Sequence, residues 1–163
     1  MELEQKRILV VGASGVLGAE ISRLLVGEGA FVLGTASSAD SAQRIPEVVG
    51  LRLLVDLANS QSIQVLTDYL KQNEAIDGII VAAGRVGFGM AADTPSDQAQ
   101  TLMQLNHLGP TQLINELAPA LAGREDAFVA AITGVVAEKS FPGMSAYCAS
   151  KSALSSWLAA VSG

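Results

Sequence analysis

The chain has 163 residues, a formal net charge of −6 and a composition that is 50% hydrophobic, 4% aromatic and 16% charged. That length can bury the core of one domain, and an apolar half with a mean hydropathy of +0.40 excludes disorder. The acidic balance excludes a basic nucleic-acid footprint, a single cysteine excludes an internal disulfide or a cysteine-rich zinc site, and no apolar run reaches the roughly 18 residues that a membrane span needs.

The opening stretch, residues 1–7, is charged and leads straight into a strand pattern, which predicts no signal peptide and a soluble, cytoplasmic protein. Residues 7–11 form a compact apolar run stopped by Gly12 and read as a buried strand. Apolar positions at helical spacing follow over 16–26, ended by Gly27 and Gly29. A second strand is predicted at 31–34, then a serine-rich turn and a short helix at 41–45. Residues 51–55 read as a strand, 60–72 as an amphipathic helix with Ile63, Leu66 and Leu70 on one face, and 76–81 as a strand. A glycine-rich loop over 84–95 follows, and Ser96 is the predicted N-cap of a helix running toward Leu121. A fifth strand at 127–132 and a last helix at 145–161 complete the pattern. Alternating strand and helix predict an α/β fold with a parallel sheet covered on both faces.

Two segments carry chemistry. The first is Val11-Gly12-Ala13-Ser14-Gly15-Val16-Leu17-Gly18, between the first strand and the first helix. A glycine turn there lets the backbone approach a pyrophosphate, and the helix N-terminus supplies free N–H groups and a positive dipole end. Gly12 would permit the turn, Gly15 the close approach and Gly18 the helix–strand packing. An acidic residue after the second strand would hold the ribose 2′-OH of NAD. The chain has Ala36-Ser37-Ser38 there, with no carboxylate to repel a 2′-phosphate and two hydroxyls to bind one. This favours NADP, with NAD as an allowed alternative. The other reading of these serines is that they cap the helix that follows.

The second segment is Tyr147-Cys148-Ala149-Ser150-Lys151. Tyrosine and lysine at i and i+4 share a helix face. An ammonium beside a phenol favours the phenolate and suits the phenol to acid–base work. Pro110 stands four residues after Asn106 and has no N–H to give the Asn106 carbonyl, so the helix is expected to kink there.

In order along the chain, Gly12–Gly18, Asp56-Leu57, Ala83-Gly84, Asn106 and Tyr147–Lys151 resemble the short-chain dehydrogenase/reductase family, with the Gly34-Thr35-Ala36-Ser37 turn similar to that of 3-oxoacyl-carrier-protein reductases. The resemblance implies a Rossmann, doubly wound parallel sheet with strand order 3-2-1-4-5 and one NADP-binding domain over 1–163, shortened at its C-terminal end. It implies an NADP(H)-dependent oxidoreductase acting on a small-molecule carbonyl or alcohol. Tyr147 would be the acid–base group, Lys151 would hold the nicotinamide ribose, and Asn106 would position a relay water. The cofactor residues would be Gly12, Ser14, Gly15, Val16, Leu17, Gly18, Ala36, Ser37, Ser38, Asp56, Leu57, Ala83, Gly84, Tyr147 and Lys151, with no metal. Copies would associate through the helices containing Asn106 and Tyr147.

Three departures stand out. Val11 and Val16 replace a threonine and a glycine of the usual glycine pattern. Val81-Ala82-Ala83-Gly84 replaces Asn-Asn-Ala-Gly. Gly134 stands where the family's catalytic serine is expected, 13 positions before Tyr147. Losing such a donor lowers rate by about 100- to 1,000-fold. The second reading of the chain is therefore a catalytically weak, nucleotide-binding regulatory or scaffold protein. Ser140 and Ser145 are alternative donors that spacing does not select. His107, beside Asn106, reads as a packed or exposed helix residue rather than a base.

Overall fold

The computed structural model describes residues 2–90, 92 and 94–161. The elements are β1 (Arg7–Val11), α1 (Val16–Gly27), β2 (Phe31–Ala36), α2 (Ala39–Ala42), β3 (Leu51–Leu54), α3 (Ser60–Asn73), β4 (Gly78–Val81), α4 (Ser96–Met103), a π turn (Gln104–Leu108), α5 (Gly109–Leu121), β5 (Phe128–Ala131), a 3₁₀ turn (Val135–Ala137) and α6 (Ser145–Val161). They fall into two compact units, Met1–Ala83 with Gln112–Ile132, and Gly84–Thr111 with Thr133–Gly163.

The first unit holds the whole sheet, in the order β3-β2-β1-β4-β5 with every neighbouring pair parallel. This is the expected Rossmann order. β1 is central because Ile8, Leu9 and Val10 tolerate complete burial; Ile8 pairs with Val32 on one side and Gly78 on the other. Strand alternation divides its side chains between two faces. Ile8 and Val10 pack with Leu25, Val32, Ile45 and Val49. Leu9 and Leu33 point the other way, and both are fully buried, as are Ile63 of α3 and Leu113 and Leu117 of α5.

At the N-terminal ends of the strands, charge fixes the register. Asp77 accepts the Arg7 N–H at 2.8 Å and the Arg124 guanidinium at 2.8 Å. Arg7 also pairs with Glu74 and lies 4.4 Å from the Phe31 ring centroid. Burial pushes the Asp77 carboxyl up, but the Arg7 N–H, Arg124 and Lys6 pull it further down, to a net value below the ordinary 3.8.

Element ends differ from the sequence expectation where tertiary pairing decides them. β2 runs on to Ala36 because Leu33 to Ala36 pair with Leu51 to Leu54. α2 begins at Ala39, two residues early, because Ser38 caps it: its Oγ accepts the Ser41 N–H at 3.2 Å, and Ser41 Oγ accepts the Ser38 N–H at 3.0 Å. Pro95, not Ser96, occupies the N-cap of α4, and no side chain caps that helix.

The second unit contains α4, the π turn, the 3₁₀ turn and α6. The expected disruption near Pro110 takes the form of the π turn. The Gly109 N–H reaches back to the Gln104 carbonyl, a register one residue wider than an α-turn. Among the described residues, no helix is long and apolar enough to cross a membrane.

Candidate active site

The glycine turn is built by close approach. Gly12 has φ +89°, and a Cβ there would lie 2.7 Å from both Cα and N of Ala83. A Cβ on Gly18 would lie 2.1 Å from the Gly12 carbonyl oxygen. The chain at Ala83 is itself fixed, since the Ala82 and Ala83 N–H groups both donate to Val11 O, at 2.9 and 2.8 Å. Thr35 closes the turn from β2 by accepting the Gly12 N–H on its buried hydroxyl at 3.1 Å. Sequence reasoning did not single out Thr35; a hydroxyl inside an otherwise apolar buried strand was the signal.

Gly15 sits at the N-cap of α1 and, lacking a side chain, gives no side-chain cap. The first-turn N–H groups are therefore not spent on a side chain, which is the donor arrangement that suits an anion. A Cβ at Gly15 would meet only the Gly12 carbonyl, at 3.4 Å, so the turn is open on that side. Ser14 is partly exposed, and Gly15, Val16 and Leu17 are exposed. These features fit a bound dinucleotide phosphate.

The remaining cofactor candidates of this unit differ in what they can offer. Ala36 is buried at the end of β2, and Ser37 is exposed beside it. Ser38 is engaged in the α2 capping box, as the alternative reading expected. Asp56 is exposed, and its carboxylate accepts the Ala58 N–H at 2.9 Å. Leu57 is buried, so its side chain supports the turn from within.

In the second unit, Gly84, Asn106 and Lys151 come together, and Ser150 links Asn106 to the Tyr147 backbone. Asn106 is fully buried and its amide is saturated. Its Oδ1 accepts the Arg85 N–H at 2.8 Å, and its Nδ2 donates to Arg85 O at 2.9 Å and to Ser150 Oγ at 3.0 Å. Ser150 Oγ in turn donates to the Tyr147 carbonyl at 2.7 Å. Asn106 thus ties the chain after Gly84 to the helix that carries Tyr147. Ser150 is the second functional residue that the sequence reading left unassigned; it was visible as the hydroxyl inside the Tyr–Lys stretch.

Lys151 lies one turn after Tyr147 and is only 4% exposed. A Cβ at Gly84 would stand 3.0 Å from Lys151 Nζ and 3.3 Å from Asn106 Oδ1, so this glycine makes room for both polar groups. Burial pushes the Lys151 ammonium below its ordinary value of 10.5. His107, in the π turn, has a buried Nδ1 without a hydrogen-bond partner, and burial pushes its imidazole down. A partly buried, proton-poor ring agrees with a packed residue.

Gly134 is exposed with φ +77° and ψ 166°, a backbone conformation essentially confined to glycine. Its carbonyl accepts the Ala137 N–H at 3.1 Å, and the Ala137 carbonyl accepts Ser152 Oγ at 2.8 Å. The segment is therefore shaped around the glycine, not merely short of a hydroxyl. Ser140 and Ser145 line a cleft of about 500 Å³ with Phe141, Cys148 and Ser152. At 3.6 residues per turn, position 145 lies about 120–160° around α6 from 147 and 151.

Comparison with known proteins agrees with this geometry. The sequence profile described as short chain dehydrogenase matches residues 6–162. Dehydrogenase/reductase SDR family member 7B of Danio rerio is 26% identical over 168 residues, covering 95% of this chain and 54% of its own. The cyclic-di-GMP-binding biofilm dispersal mediator protein of Escherichia coli is 31% identical over 151 residues, covering 91% of this chain and 62% of its own. A solved short-chain dehydrogenase from Streptomyces avermitilis superposes with a TM-score of 0.88 at 28% identity, covering 97% of this chain and 60% of that one. The chain thus spans little more than half the length of the relatives it matches. By its profile, its sheet order and the Tyr147–Lys151 helix, the chain belongs to the short-chain dehydrogenase/reductase family.

Proposed function

We propose that this chain is the cofactor-binding and acid–base part of an NADP(H)-dependent oxidoreductase that interconverts a carbonyl and an alcohol. The observation that carries the reading is the buried Lys151 one turn from Tyr147, with Asn106 and Ser150 fixing the helix that bears both. The cofactor supplies a hydride acceptor or donor. Gly12, Ser14, Gly15, Val16, Leu17 and Gly18 hold its pyrophosphate through the turn and the α1 N-terminus. Ala36 and Ser37 face its adenosine ribose, with Ser38 contributing while it caps α2, and Asp56 and Leu57 border the adenine. The absence of a carboxylate at position 36 supports NADP over NAD. Tyr147 gives a proton to, or takes one from, the substrate oxygen. Lys151 sets the charge beside it, Ala83 and Gly84 border the cofactor as backbone with little side chain, and Asn106 is a positioning residue. Self-association through the helical segments containing Asn106 and Tyr147 belongs to the same reading and is tested by the mass of the native protein.

The test is NADPH oxidation with a panel of ketones and acetoacetyl thioesters. Tyr147→Phe should lower turnover by about 100-fold or more. NADPH should bind more tightly than NADH; the reverse order would overturn the use made of Ala36 and Ser37.

One observation favours a second reading. Gly134 removes a substrate-oxygen donor and replaces it with a glycine-only backbone shape. On that reading the chain is a nucleotide-binding regulator, and the relative named for cyclic-di-GMP binding gives a candidate ligand class. NADPH or cyclic-di-GMP binding with no Tyr147-dependent turnover would establish it over the first.

A further inference from the structure

The loop that follows Gly84 has more to do than pass between two elements. Its start is held by Asn106 through both the N–H and the carbonyl of Arg85. Farther on, the Gly89 N–H donates to the Gly143 carbonyl at 2.9 Å, four residues before Tyr147. The backbone from Arg85 to Gly89 is therefore pinned at both ends to the part of the unit that carries Tyr147 and Lys151. Between those pins, Arg85, Val86 and Phe88 turn outward and form one wall of a cleft of about 320 Å³. That volume falls at the small end of ordinary small-molecule sites, roughly 300–1,000 Å³. The cleft is also lined by Asp97, Gln98 and Thr101 of α4, and Gly87 lies close against the Leu102 side chain.

The charges of this cleft are opposite, and they do not neutralise each other. Among the described residues, Arg85 makes no ion pair, and Asp97 spends Oδ1 on the Gln98 N–H at 2.9 Å without pairing to a cation. A helix N-terminus explains an aspartate in its first turn. It does not explain an unpaired guanidinium lining the same cleft as that aspartate, nor a Phe88 there that is 73% exposed. An anion alone would bind Arg85 and meet Asp97; a cation alone would meet the reverse. A molecule carrying both charges on neighbouring atoms satisfies both groups, and Val86 and Phe88 offer cover for an apolar portion.

We infer that the cleft between Arg85 and Asp97 holds the charged ends of a zwitterionic substrate, an α-amino acid whose side chain bears the reacting hydroxyl or ketone. The guanidinium takes the carboxylate in a two-bond fork, and Asp97 takes the ammonium. The substrate class rests on the oxidoreductase reading; the charge recognition does not. It can be measured as binding in the absence of any turnover.

The experiment is calorimetric titration of the whole chain, with and without NADP⁺, using the threonine stereoisomers and 3-phenylserine as probes. The controls are 3-hydroxybutyrate, which lacks the ammonium, 1-amino-2-propanol, which lacks the carboxylate, and 2-propanol, which lacks both. At least one amino acid should bind ten-fold or more tighter than each one-charge analogue. Arg85→Ala should abolish the advantage over 1-amino-2-propanol, and Asp97→Asn the advantage over 3-hydroxybutyrate, with Arg85→Lys recovering part of the first. Far-ultraviolet circular dichroism checks that the variants remain folded. Equal binding of one-charge analogues, no binding by any probe, or equal losses for every probe in both variants would overturn the inference. Tyr147-dependent turnover of neutral alcohols without amino-acid binding would sink the inference and leave the oxidoreductase reading standing. Charge-dependent binding without turnover would do the opposite.

Discussion

Replacing Gly134 with serine looks like the restoration of a lost catalytic hydroxyl, but the backbone at 134 is one that serine adopts only with strain. Space is no obstacle, since a Cβ there would meet only Val136 Cγ2, at 3.8 Å. The obstacle is the backbone, at φ +77° and ψ 166°. A side chain held in that region costs about 1–3 kcal/mol. The cost cannot be relieved locally without disturbing the 3₁₀ bond from the Ala137 N–H to the Gly134 carbonyl, and with it the Ala137 carbonyl that accepts Ser152 Oγ. Gly134→Ser and Gly134→Ala should therefore lose similar stability in urea unfolding, because the penalty belongs to the Cβ and not to the hydroxyl. The pair also separates strain from chemistry. If the hydroxyl reaches the substrate, kcat/KM for serine should exceed that for alanine by up to about 100- to 1,000-fold, the worth of one oxyanion donor. Equal, low values would mean that the hydroxyl points elsewhere. A serine variant as stable as the parent chain would refute the backbone argument.

Three further outcomes follow from the packing and the charges. Gly12→Ala should lose roughly 2–5 kcal/mol, from the left-handed φ and the 2.7 Å approach to Ala83, whereas Gly27→Ala, with nothing within 4 Å, should gain a few tenths to about 1 kcal/mol; urea midpoints compare them directly. Asn106→Ala should lose about 2–4 kcal/mol by stranding both backbone groups of Arg85, and it should raise hydrogen exchange at Arg85 before it changes exchange in the sheet. Asp77 has a carboxyl depressed below 3.8 in the folded chain, so its stabilisation is complete above the unfolded value of about 3.9 and is lost as pH falls through the folded one. Asp77→Asn should cost about 1–2 kcal/mol at neutral pH and flatten the acid limb of the stability profile, as followed by unfolding at a series of pH values.

The strand–helix alternation, the glycine turn and the 145–161 helix were legible because each rests on a pattern local to the chain, whereas the 3-2-1-4-5 sheet order was implied only by the family resemblance. Alternating buried strands and helices leave few topologies, and Gly12 and Gly18 stand where only a missing Cβ lets the strands and α1 meet. What sequence could not carry were the features fixed by a distant partner. β2 reaches Ala36 only because β3 lies beside it, and the 35 hydroxyl matters only because the Gly12 N–H faces it. The π turn at 104–108 was half visible: Pro110 announced a fault in the helix, but the form of the fault depends on how the backbone rewinds to avoid the ring. Arg85 was silent for the same reason. Nothing in its neighbours along the chain shows that Asp97 and Gln98 come to line a cleft with it.

The three departures from the family pattern have different physical weights. Val16 replaces a glycine at a position that is 84% exposed in the first turn of α1, where a side chain projects outward and the fold is indifferent to it. Val81 and Ala82 stand in place of two asparagines, and the bracing of the turn is done here by main chain, with the Ala82 and Ala83 N–H groups on one carbonyl of Val11. A larger residue at 83 would even be harmful, because its backbone and Cβ already crowd the place a Gly12 side chain would need. Neither change strains the fold. Gly134 is different in kind, because the glycine is written into the backbone as well as absent from the side chains. A chain that had lost the hydroxyl by a single drift would keep a backbone that serine could reoccupy. This one does not without strain, so the stability and kcat/KM of the serine and alanine variants together test whether position 134 can carry a substrate-oxygen donor at all.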